Sequence, residues 1–122
     1  MREAQTSRNL EALEMEREGR VEEAIALYER NAAEGFAGDW PYGRLVAIYE
    51  RRGDLDEAER VLLRAVAVFQ ASLARTPQDR RTMVQTFKKR LALVQKARRA
   101  RARSATASRR AAGGESRRPV PE

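Results

Sequence analysis

At 122 residues, with 42% hydrophobic, 35% charged and 6% aromatic side chains, the chain has room for one domain built on amphipathic helices. It holds no Cys and no His, which excludes disulfides, thiolate nucleophiles, zinc ligand sets and imidazole acid–base chemistry. The net charge of +7 is divided: residues 1–76 carry four net negative charges and residues 77–122 eleven net positive ones, so the two ends are expected to do different work.

The first predicted helix runs from about residue 3 to 18, with a thin apolar stripe of Ala4, Leu10, Ala12, Leu13 and Met15. Gly19 ends it, since glycine accepts the left-handed conformation common at helix C-termini. A second helix spans residues 21–34 on the stripe Val21, Ala24, Ile25, Leu27 and Tyr28, with Glu22 and Glu23 placed at its positive end. Two glycines and Pro41 then break the pattern around Phe36 and Trp40, aromatics that, with Tyr42, serve either as core or as a contact site. Asp39 is expected to cap the third helix, which carries Tyr42, Leu45, Val46, Ile48 and Tyr49 and stops at Gly53. Asp54 and Glu57 have the spacing of a capping box for the fourth.

Helix four is the most hydrophobic piece, from Leu55 through Val61, Leu62, Val66 and Phe69 to Leu73, and is expected to be covered on more than one side. Thr76-Pro77 interrupts the chain. A fifth helix, residues 78–103, places Met83, Val84, Phe87, Leu91 and Val94 on one face. Beyond Val94 arginines crowd together and like charges are expected to fray it. Residues 104–122, rich in Arg, Ala, Ser, Gly and Pro, read as a disordered tail. The chain thus divides into two helical units over 1–76, a closing helix over 77–103 and the tail. No stretch reaches the roughly 18 apolar residues of a membrane span, and the N-terminus lacks the apolar core of a secretory signal. A cytoplasmic protein is expected, of bacterial origin because Arg far outnumbers Lys.

Gly19-Arg20-Val21-Glu22-Glu23-Ala24 recurs as Gly53-Asp54-Leu55-Asp56-Glu57-Ala58, a period of 34 residues. Units of that length, two helices and a turn, bury their apolar faces only by stacking. The pair resembles tetratricopeptide repeats over roughly residues 5–72. Tyr42, Leu45, Val46, Tyr49, Gly53, Ala58, Leu62 and Ala65 fall on the family's positions in the second unit, and Ala12, Met15, Gly19, Ala24 and Tyr28 in the first. Arg8, Glu11 and Asn31 depart from it, standing where the family keeps apolar or small residues. Phe36 and Gln70 replace the proline that closes each unit. The resemblance implies an all-α fold of antiparallel hairpins stacked as a short α-solenoid, about five helices in all, with the last as a solvating helix.

It also implies a non-enzymatic protein-interaction module without cofactor or metal, gripping a protein or peptide segment on a concave face. By position that face comprises Asn9, Leu13, Glu16 and Arg17 with Gly43, Ala47, Glu50 and Arg51. The Asn and Lys/Arg set with which one subgroup grips chaperone C-termini is not reproduced. With only two units, a homodimer is a further expectation. The alternative places the main contact in the cations Lys88, Lys89, Arg90, Lys96, Arg98, Arg99, Arg101 and Arg103, which suit nucleic acid, while the repeats self-associate. The paired carboxylates Glu22/Glu23 and Asp56/Glu57 sit at helix starts, where helix polarity accounts for them better than catalysis does.

Overall fold

A computed structural model describes the backbone of residues 2–116 and the side chains of residues 2–111. Its five helices are α1 (Arg2–Arg17), α2 (Val21–Ala33), α3 (Trp40–Arg51), α4 (Leu55–Ala71) and α5 (Pro77–Ser116), and no strand occurs among the described residues. Each helix packs antiparallel on the next, α1 on α2, α3 on α4 and α4 on α5, while α2 joins the two hairpins through α3 and α4. The fold is the expected all-α stack of helical hairpins.

Three of the turns are built alike. Gly19, Gly35 and Gly53 have φ of 79°, 73° and 75°, and at each the glycine and the residue after it donate back into the last turn of the helix before them. Arg20 N–H reaches Met15 O at 2.8 Å, Phe36 N–H reaches Asn31 O at 3.0 Å and Asp54 N–H reaches Tyr49 O at 2.8 Å. This closure satisfies carbonyls that a helix end leaves unpaired and needs a left-handed residue, hence glycine.

The expected side-chain caps are corrected. Neither Asp39 nor Asp54 bonds a helix N-terminus with its carboxylate, and the Glu57 carboxylate is held by Arg60 at 2.9 Å rather than closing a capping box. Acidic residues still occupy the first turns of α2 and α4, where the helix dipole favours them.

The alanines and aromatics of the repeat pattern make the core. Ala12, Ala24, Tyr28, Tyr42, Leu45, Ala58, Leu62 and Ala65 are fully buried, and Tyr49 nearly so. Tyr42, Phe69 and Phe87 form an aromatic triangle across α3, α4 and α5. Tyr42 meets Phe69 edge-on at 5.6 Å between centroids, and Phe69 meets Phe87 at 5.3 Å, a geometry that adds attraction beyond area alone. The Arg75 guanidinium lies 5.7 Å from the Phe69 centroid. Leu73, read as the end of helix four, is instead exposed beyond it.

Two departures fall at the ends of the chain. Polar residues seat the N-terminal half of α1, ahead of Ala12 and Met15: Asn31, fully buried on α2, donates to Gln5 O at 2.8 Å and Asn9 Oδ1 at 2.7 Å and accepts from Arg8 at 2.5 Å. Arg8 also reaches Glu34 at 2.9 Å. At the other end α5 does not stop at Arg103 but continues to Ser116, so residues 104–116, expected to lack structure, are helical. Ala and Arg are strong helix formers, and their summed preference outweighs the local repulsion. The side chains from Arg99 to Ala111 are all exposed, so this extension adds nothing to the core. Residues 117–122 lie outside the described residues. No described helix is long and apolar enough to cross a membrane.

Candidate functional site

Polar bridges between units define two layers. On one, Arg44 of α3 grips Glu16 of α1 at 2.5 and 3.1 Å, and Tyr28 donates to the same carboxylate at 2.7 Å. On the other, Arg60 of α4 grips Glu29 of α2 at 2.5 Å while Tyr49 donates to it at 2.7 Å. Arg64 adds bonds to the last carbonyls of α2, at 3.1 Å to both Ala32 O and Ala33 O. Tyr28 and Tyr49 therefore each hold a carboxylate of the first unit that an arginine of the second claims.

The environments follow from these contacts. Burial pushes the Glu16 carboxyl up, but hydrogen bonds from Arg44 and Tyr28 and the nearby positive charges outweigh it, leaving it below its usual range. Burial, then the bond to Glu16, pushes the Tyr28 hydroxyl up, and Tyr49 is raised in the same way beside Glu29. These hydroxyls stay protonated donors.

Helix α5 extends the first layer. Arg90 approaches Glu50 of α3 at 3.8 Å. Arg98 meets Asp56 at 2.6 Å and Glu59 at 2.8 Å, and Arg101 donates to Gly53 O. Helices α1, α3 and α5 thus line one face of the stack, with α2 and α4 behind.

The residues expected on that face divide into two groups. Gly43, Ala47 and Leu13 are half-buried and Arg17, Glu50 and Arg51 are exposed, so these six lie at the surface the first helices share. Asn9 does not: it is buried against Asn31. Glu16 is committed to Arg44 and Tyr28, its side chain 13% exposed. The sequence reading missed the contribution of α5, where Arg90, Leu93 and Ala97 join Glu50 and Leu55 around a shallow groove of about 370 Å³. Leu93, 68% exposed, was the available signal, an apolar residue off the core stripe of its helix.

The aromatic cluster of the α2–α3 loop also divides. Tyr42 is buried and its hydroxyl donates to Phe36 O at 2.8 Å, whereas Trp40 is 44% exposed. The basic set divides as well. Arg90, Arg98 and Arg101 face the repeats, while Lys88, Lys89, Lys96, Arg99 and Arg103 are exposed and form no salt bridge among the described residues. Among those residues, no three acidic groups converge as a metal site would require.

No curated protein and no solved structure matches the chain. A tetratricopeptide repeat family model matches residues 42–81, from the start of the second hairpin into α5. With the 34-residue period, the glycine-closed hairpins and the buried alanines, that match supports a repeat protein of the tetratricopeptide type.

Proposed function

We propose that the chain is a non-enzymatic adaptor that holds a segment of a partner protein across the face formed by α1, α3 and α5. The observation that carries this reading is the surface of α3. Gly43 and Ala47 leave a low strip between the flanking helices, with Leu13 on one side and Leu93 on the other. Small residues let a partner backbone approach, and the flanking apolar and cationic side chains supply contacts. The protein works in the cytoplasm on this reading, and the partner is a second kind of protein rather than another copy.

Ala47→Trp with Arg51→Glu fills the strip and reverses a charge without touching the core. Affinity capture from the native host is expected to recover a protein with the parent chain and to lose it with this variant. Equal recovery by both contradicts the groove, and recovery of the chain alone, with a dimer by sedimentation, transfers the face to self-association.

A second reading, association with nucleic acid through the basic end, is supported by one feature of the sequence. Between Arg80 and Gly114 the chain carries twelve Lys and Arg residues and no carboxylate.

A further inference from the structure

We infer that the outer face of α5 is a docking stripe for the phosphate backbone of double-helical nucleic acid. The inference rests on the second reading above and narrows it to six side chains and one form of ligand. The line Phe87, Leu91, Val94, Arg98, Arg101 recurs every three or four residues and faces the repeats. The opposite side of the same helix carries Lys88, Lys89, Lys96, Arg99, Arg103 and Arg110, all exposed. Cations of α5 thus do two jobs: Arg90 and Arg98 lock the helix onto Glu50, Asp56 and Glu59, and these six point to solvent along one side.

The geometry and chemistry of the stripe select among anionic partners. From Lys88 to Arg110 the helix rises about 33 Å, close to one turn of B-form duplex. A bilayer surface requires an amphipathic helix to insert its apolar face, and the apolar face of α5 is packed on the repeats. Single strands are held largely by stacking on aromatic side chains. Phe87, the one aromatic residue of α5, is buried. Interfaces with proteins centre on aromatic or apolar anchors, and only Leu93 lies near the edge of the stripe. A second copy offers no concentrated complementary charge: Glu3, Glu11, Asp39, Asp54 and Asp79 are exposed without a salt bridge among the described residues but are spread over α1 and the starts of α3, α4 and α5, while Glu16, Glu29, Glu50, Asp56 and Glu59 are held by arginines of their own chain. A row of cations without base-reading or apolar groups fits the duplex backbone, bound without sequence preference.

The test is the anisotropy of a labelled 20-base-pair duplex titrated with the full chain between 50 and 300 mM salt. Six cations predict a log–log slope of about −5. The triple variant Lys96→Gln, Arg99→Gln, Arg103→Gln is expected to make it shallower by about 3. Arg2→Gln, Arg20→Gln, Arg30→Gln removes the same charge from the repeats and is expected to leave it within about 1. Circular dichroism of both variants should match the parent, because the altered side chains are exposed. Absence of binding to duplex and single strand alike at 50 mM salt overturns nucleic-acid association itself. Equal losses from the two triple variants, or tighter binding to a single strand of the same length, overturn the stripe but leave that association standing. Binding to anionic vesicles or to a polyglutamate chain but not to duplex overturns the choice of partner.

Discussion

Phe69→Ala is expected to lower the free energy of unfolding by about 3 to 5 kcal/mol, the range for deleting a fully buried aromatic ring. Phe69 is fully buried and stands between Tyr42 of α3 and Phe87 of α5, so its loss opens a void shared by three helices. Because small domains hold only about 5 to 15 kcal/mol in total, this one change removes a large part of the margin. Urea denaturation followed by circular dichroism measures it. A loss below about 1.5 kcal/mol would mean that α5 does not dock on the second hairpin through this triangle.

The second large effect is expected at Asn31. Its replacement by alanine strands the buried Asn9 amide oxygen, takes a second partner from the Gln5 carbonyl and leaves the Arg8 guanidinium with Glu34 alone, and a buried group left unpaired costs about 1 to 3 kcal/mol. A destabilisation of about 3 kcal/mol is expected, with α1 melting before the rest. Arg8→Leu combined with Asn31→Ala should cost clearly less than the sum of the two single changes, since the bond the two side chains share is lost only once. Additive losses in denaturant unfolding would show that the two side chains do not share a network.

Arg8 and Asn31 also show where the sequence stopped being legible. Each breaks the repeat pattern, and read singly each looks like decay of the first unit. In the structure they meet, and a polar network stands in for apolar packing in the N-terminal half of α1. The cue was the joint occurrence of two polar residues at core positions of facing helices, which a residue-by-residue comparison with a family pattern passes over. Gly19 and Gly53 were legible because a left-handed turn leaves glycine as the natural choice, and the buried alanines because close helix approach demands small side chains.

On α5 the difficulty was different. Charge alone grouped Arg98 and Arg101 with the exposed cations, although both continue the three-and-four spacing of Phe87, Leu91 and Val94 and so had to face the repeats. Asn9 and Glu16 were placed on the groove by position, and only their partners Asn31, Arg44 and Tyr28 take them off it. Helix α5 runs past Arg103 because the helix preference of the Ala and Arg that follow exceeds the local repulsion, a balance that the arginine cluster alone does not show.

The stacking of hairpins through their alanines underlies both the groove and the seat of α5. Thermal unfolding of Ala58→Trp beside Ala67→Trp tests it most directly, since both lie on α4 but Ala58 is fully buried and Ala67 exposed. Overpacking at Ala58 should cost about 2 kcal/mol or more and lower Tm by about 8 °C or more, while the change at Ala67 should move it by no more than about 3 °C. Equal melting temperatures for the two variants would contradict the stack.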